Sequence, residues 1–206
     1  MSKKQVIAVD IDDVLAFTAE GWVDFTNKTW GMNLSADDYD EDWVKVWNIE
    51  YADALKRRDV VFGSGIHSQF EYNKEAKSVL QSLARKYRLI VVTSRLEIVR
   101  AETMDWLDKH FKGVFEDVKF SGFYDKHFQN EDYQDAVKQT KADLIQQLGA
   151  SYLIDDQPKH CFAAAKIGVT SLLFGVHKWS QIEKLPDKVV RVKDWMEVER
   201  YFDAKG

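Results

Sequence analysis

Five short apolar runs in this chain stop abruptly at polar or acidic residues, and the segments between them repeat with helical spacing. The runs are residues 6–9, 89–92, 114–120, 152–154 and 170–174. A run this short, apolar without alternation, reads as a strand covered on both faces. In residues 73–87 the positions Ala76, Val79, Leu80, Leu83, Ala84 and Tyr87 follow a helical period. Val99, Trp106, Leu107, His110 and Phe111 do so in 96–111, and Val137, Leu144, Ile145 and Leu148 in 134–148. Gly149 and Gly168 are placed to stop helices, and Pro158 suits a first helical turn. Strands that alternate with helices predict an α/β fold, a Rossmann-like parallel sheet flanked by helices on both faces.

Residues 17–70 break that rhythm. They hold Trp22, Phe25, Trp30, Tyr39, Trp43, Trp47, Tyr51 and Phe62 and no convincing buried strand. The expectation is a small helical insertion after the first strand, with residues 1–16 and 71–206 forming the α/β core. Pro158 and Pro186 are the only prolines in 206 residues, so no Pro-rich linker divides the chain.

A formal net charge of −5 argues against nonspecific binding to a nucleic acid polymer or to anionic lipid. No apolar stretch is long enough to span a membrane. Cys161 is the single cysteine, so no internal disulfide can form, which suits a reducing compartment; a cytoplasmic location is the default expectation. A homodimer is compatible with the sequence, which leaves the oligomeric state open. Asp37, Asp38, Asp40, Glu41 and Asp42 crowd one loop and read as a solvated surface and helix start. The histidines show no metal-ligand pairing.

The chemistry collects where strands end. Ligands of open parallel sheets bind beyond the carboxyl ends of the strands. The first run ends in Asp10-Ile11-Asp12-Asp13, and the fourth in Asp155-Asp156. Carboxylates packed this closely repel one another, and a hard cation such as Mg²⁺, which takes oxygen ligands, is the simple remedy. The second run ends in Thr93-Ser94-Arg95, where a hydroxyl and free backbone N–H groups can hold phosphate oxygens. Lys141 lies near the start of a helix that leads into the Asp155 strand. Each feature alone can equally be a turn, a helix cap or a surface charge.

Taken in order, Asp-x-Asp, Thr, Lys and Asp-Asp resemble the four motifs of the haloacid dehalogenase (HAD) superfamily of phosphatases and phosphotransferases. They are Asp10-Ile11-Asp12-Asp13-Val14, Thr93, Lys141 and Asp155-Asp156. Lys138 is a second candidate for the lysine. Asp13 stands where that superfamily often has Gly. The resemblance implies that Asp10 attacks phosphorus to give an aspartyl-phosphate and that Asp12 serves as acid, then base. It implies Mg²⁺ held by Asp10, the backbone carbonyl of Asp12, Asp155 and Asp156. It gives Thr93, Ser94 and Lys141 the phosphate oxygens, and it makes residues 17–70 a cap that closes over the site.

The layout is also similar to the 5'(3')-deoxyribonucleotidases, which share a small helical cap, the Thr-Ser pairing and an Asp-Asp fourth motif. The substrate expected from this is a small phosphorylated metabolite such as a nucleoside monophosphate. Trp43 and Trp47 are then candidates to stack on a base, and Arg95 to touch phosphate or base. Those aromatics can equally form the cap's own core. A sugar-phosphate phosphatase, a phosphomutase, or a binding protein that keeps the fold without turnover are the competing readings.

Overall fold

The computed structural model describes residues 4–121 and 139–205. The described residues form one six-stranded sheet, all parallel, in the order β3-β2-β1-β4-β5-β6. The strands are β1 (Val6–Val9), β2 (Arg88–Thr93), β3 (Asp117–Phe120), β4 (Ala150–Asp155), β5 (Thr170–Phe174) and β6 (Val189–Val192). The order reverses between β1 and β4, which opens a crevice at their carboxyl ends.

Strand periodicity divides the core. Ile7, Val9, Leu89, Val91, Ile154 and Leu172 face one layer, with Leu80 and Leu83 of α4 (Lys74–Lys86), Trp106 of α5 (Arg100–Phe111) and Phe202 of α8 (Trp195–Asp203). Val6, Ala8, Ile90, Val92 and Leu153 face the other, with Leu144 and Ile145 of α6 (Lys141–Gln147) and Ala164 of α7 (Pro158–Lys166). Strands sandwiched in this way have no polar face, which is why they read as unbroken apolar runs.

The helices start and stop for local reasons. The Asn73 side chain caps α4 by accepting from the Glu75 and Ala76 amides. Thr140 and Asp143 form a reciprocal capping box at the head of α6. Pro158 opens α7, and Gly149 and Gly168 lie just past the ends of α6 and α7.

Three sequence expectations are corrected. The third strand covers only 117–120, because Val114 is buried in the turn that follows α5 and the strand itself is a half-buried edge. The sixth strand and α8 add to the sheet predicted from apolar runs. β6 is an edge strand interrupted by Arg191, so it has no continuous apolar signal. The helix predicted over 134–148 is seen from Lys141; residues 134–138, including Lys138, lie outside the described residues.

Residues 17–70 contain α1 (Thr18–Trp30), α2 (Trp43–Trp47) and α3 (Tyr51–Gly63). Two backbone bonds join the chain on either side of these helices. Phe17 donates its amide to the Glu71 carbonyl at 2.9 Å, and Asn73 donates to Leu15 at 2.7 Å. Buried indoles pin this junction: Trp106 donates to the Phe70 carbonyl at 2.7 Å and Trp195 to Val14 at 3.1 Å. No described helix is long and apolar enough to cross a membrane.

Candidate active site

Parallel register brings the acidic strand ends together. Val9 pairs with Val91 on one side and Ile154 on the other. Asp10 continues this ladder by donating its amide to the Ile154 carbonyl at 3.0 Å. Oxygens of Asp10, Asp155 and Asp156 therefore meet within 4.8 Å of one another, and all three residues are buried.

One cation accompanies them. Lys141 Nζ, itself buried, donates to Asp155 Oδ2 at 2.7 Å and lies 3.0 Å from Asp10 Oδ1. Burial works against the charge on Lys141, but the two carboxylates outweigh it and raise its pKa. A single lysine against three acids leaves negative charge over. Burial, with the Asp155 and Asp12 charges, pushes Asp10 up to about 7 despite Lys141. Burial and the neighbouring acids also hold Asp156 well above the carboxylate range. Three buried carboxylates set against a single ammonium fit a hard divalent cation.

Asp12 points elsewhere. Its carboxylate accepts from Arg95 Nε at 3.1 and 3.2 Å and from Arg95 Nη2 at 2.8 Å. Thr18 Oγ1, at the head of α1, adds a 2.7 Å bond. Burial opposes ionisation of Asp12, yet Arg95 and Thr18 together hold its pKa below the usual value. The Asp12 carboxylate is thus outside the acidic triad. Arg95 is no surface residue: its side chain is 4% exposed, and its Nη1 donates to Thr103 Oγ1 at 3.2 Å. Arg95 contacts Asp12, Thr103 and the Phe70 ring.

Asp13 adopts a left-handed backbone, φ 54°, a conformation in which glycine is at ease. Its carboxylate accepts the Ala19 amide at 3.0 Å and so caps the start of α1. Burial pushes it up to about 8.

Thr93 ends β2 and is buried. Its hydroxyl accepts the Arg95 amide at 3.1 Å, which leaves the hydroxyl proton unused by that bond. Ser94 Oγ lies 3.4 Å from His160 Nε2 on α7. Burial holds His160 down to about 3, so the ring is neutral.

The tryptophans of the insertion turn mostly inward. Trp47 is 3% exposed, stacks on Trp22 at 5.4 Å and meets Trp30 at 5.2 Å. Trp43 is half-buried against Trp22, Trp47 and Phe62. Trp47 retains no open face for a ligand. The aromatics beside the acids are Trp179 and Tyr39 instead. Trp179, in the turn after β5, donates to Asp156 Oδ2 at 2.6 Å. Tyr39 of the insertion meets the Trp179 ring at 6.0 Å, and burial together with Asp13 and Asp12 drives its pKa well up. No local pattern marks Trp179; only the strand order brings the end of β5 beside that of β4.

No curated protein sequence matches the chain. Among solved structures, a HAD-like family hydrolase from Streptococcus pneumoniae superposes with TM-score 0.69 at 16% identity, covering 98% of this chain and 100% of that one. A predicted phosphatase from Clostridium acetobutylicum gives 0.70 at 15% identity, covering 98% and 100%. The HAD-hydrolase YfnB from Bacillus subtilis, bound to magnesium, gives 0.60 at 12% identity, covering 98% and 100%. At these identities the likeness establishes the fold. A family model described as 5' nucleotidase, deoxy (pyrimidine), cytosolic type C protein matches residues 4–120, more than half of the chain. That match runs from the first strand through the helical insertion to the third strand, and with the fold it places the chain in the 5' nucleotidase, deoxy (pyrimidine), cytosolic type C family of HAD-fold phosphohydrolases.

Proposed function

We propose that this protein is a Mg²⁺-dependent phosphomonoesterase that hydrolyses a nucleoside monophosphate through a phosphoaspartate on Asp10. The observation that carries the reading is the position of Asp10, at a strand end between Lys141 and the acids Asp155 and Asp156.

In the first step an Asp10 carboxylate oxygen attacks phosphorus, and the ester P–O bond breaks. Asp12 gives a proton to the departing alcohol oxygen. In the second step Asp12 takes a proton from water, the water oxygen attacks the phosphoaspartate, and inorganic phosphate leaves with Asp10 restored. Thr93, Ser94 and Lys141 hold the phosphate oxygens. Asp10, Asp155, Asp156 and the Asp12 backbone carbonyl would hold Mg²⁺, which neutralises charge building on the phosphoryl oxygens. Lys141 then adds positive charge beside the transferring phosphoryl group.

The Arg95–Thr18 clasp suits the ionised Asp12 of the second step. To act as an acid in the first, Asp12 must take up a proton and loosen that clasp. Thr18 begins the insertion, so movement of residues 17–70 as a cap would act on Asp12 directly. The family description supports a deoxynucleotide with a pyrimidine base. Tyr39 lies beside the acids and offers a flat surface that such a base would use, for roughly 1–3 kcal/mol of stacking.

The test compares kcat/KM for deoxyribonucleoside 5'-monophosphates with that for sugar phosphates of equal charge. Nucleotides are expected to lead by at least about 10-fold, the worth of one modest stack. Asp10→Asn should lose turnover while keeping the native circular dichroism spectrum. Sugar phosphates as the better substrates would discard the nucleotide assignment, and an active Asp10→Asn would discard the mechanism.

A further inference from the structure

The turn from Gly175 to Ser180, just after β5, is built more firmly than a connecting loop requires. Gly175 has φ 88°, and a Cβ there would come within 2.8 Å of the His177 ring. The residue must therefore be glycine for His177 to lie where it does. Ser180 Oγ donates to the His177 carbonyl at 2.8 Å. Arg191 on β6 donates to the carbonyls of Ser180 at 2.7 Å and Ile182 at 2.9 Å. The result is that Trp179 lies flat on His177, with ring centroids 4.5 Å apart and planes 4° from parallel. Tyr39 of the insertion meets its ring at 6.0 Å. A ring stacked flat on His177 and in contact with Tyr39 is restrained from turning, which fixes the direction of its N–H.

That N–H is donated to Asp156 Oδ2 at 2.6 Å, and Gln157 Nε2 donates to the same oxygen at 3.0 Å. Both donors fall on Oδ2, so Oδ1 is the oxygen they leave to the ion. Partners that orient a metal-binding carboxylate are commonly worth 10–100-fold in metal affinity.

We propose that Trp179 is the positioning residue that holds Asp156 in its ion-binding orientation, and that the Gly175–Ser180 turn exists to present it. This rests on the reading of Asp10, Asp155 and Asp156 as the Mg²⁺ ligands. Trp179 touches no reacting atom; it acts through Asp156.

The experiment is Mg²⁺ titration of the whole chain, without substrate, by isothermal calorimetry. Trp179→Phe keeps a ring against His177 and Tyr39 but lacks the N–H. A second variant carries β-(benzothiophen-3-yl)alanine at position 179, which keeps the bicyclic shape and replaces N–H by sulfur. Each is expected to weaken Mg²⁺ binding by about 10-fold. The melting temperature in chelator should stay within about 2 °C for the isosteric variant, since packing is conserved. Raising Mg²⁺ should restore most of the kcat lost at limiting metal. Mg²⁺ affinity unchanged in both variants would overturn the role of Trp179 and leave the metal site standing. A native protein that shows no Mg²⁺ binding would overturn the metal reading itself, and Trp179 with it.

Discussion

Mg²⁺ should stabilise this protein far more at pH 8 than at pH 5. Burial and neighbouring acids push Asp10 up to about 7, and Asp156 is raised as well. In the metal-free fold these groups take up protons as pH falls, and a cation must displace those protons to bind. Each proton released lowers metal affinity about 10-fold per pH unit below the folded pKa. If one proton, that of Asp10, is displaced, affinity falls by about 50-fold from pH 7 to pH 5, because Asp10 is already half protonated at pH 7. At a Mg²⁺ concentration about 100 times Kd at pH 7, stabilisation is about 2.7 kcal/mol; at pH 5 it shrinks to about 0.7 kcal/mol. For a chain of this size those figures correspond to about 5–11 °C and about 1–3 °C in melting temperature.

The difference between Mg²⁺-loaded and chelated protein is the right readout because other groups titrate too. Asp10 and Asp13 have raised folded pKa values, so their contribution favours folding at low pH and is lost as pH rises from about 4 to 7 or 8. His67 and His160 are depressed by burial to about 4 and about 3, so their contribution runs the other way and is gained between about 4 and 6.5. The slopes of Asp13, His67 and His160 are common to both samples and cancel in the difference, which leaves the Asp10 proton that the cation displaces. Differential scanning calorimetry at pH 5, 6, 7 and 8, with MgCl₂ or chelator, makes the measurement. A Mg²⁺ shift equal at all four values, or larger at pH 5, would refute the assignment of the buried acids as the cation site.

Two further results are expected. Arg95→Met removes the charge that keeps Asp12 ionised, so the acidic limb of the kcat profile should move to higher pH, and Arg95→Lys should restore part of it. The stability cost should be about 1–3 kcal/mol in urea unfolding, below that of a fully buried pair because the Asp12 side chain is 29% exposed. Trp47→Phe should cost about 1 kcal/mol in the same assay with KM unchanged, since Trp47 is enclosed by Trp22 and Trp30; a KM raised more than about 5-fold would return Trp47 to the substrate site.

The order of strands and helices was legible because each buried strand carries its own signal. The runs at 6–9 and 170–174 match β1 and β5, and Asn73, Pro158 and Gly168 mark helix ends through their own backbone chemistry. Asp10, Thr93 and Asp155 were legible for the same reason: the last residue of a parallel strand reaches the ligand edge whatever its neighbours are. β6 was not, because an edge strand with Arg191 in it need not be apolar throughout.

What lay beyond the sequence were contacts between separate loops. Arg95 is followed by nothing that says it will cross to Asp12 and Thr103, and Trp179 stands 23 residues from the carboxylate it holds. Trp43 and Trp47 have the composition of a stacking site, but Trp47 is part of the main apolar cluster and Trp43 packs against it. Local periodicity fixes which residues are buried and which strand ends are acidic, because both depend on the backbone's own repeat. Which charge meets which acid depends on strand order and on the packing of the insertion, so only the folded chain decides it.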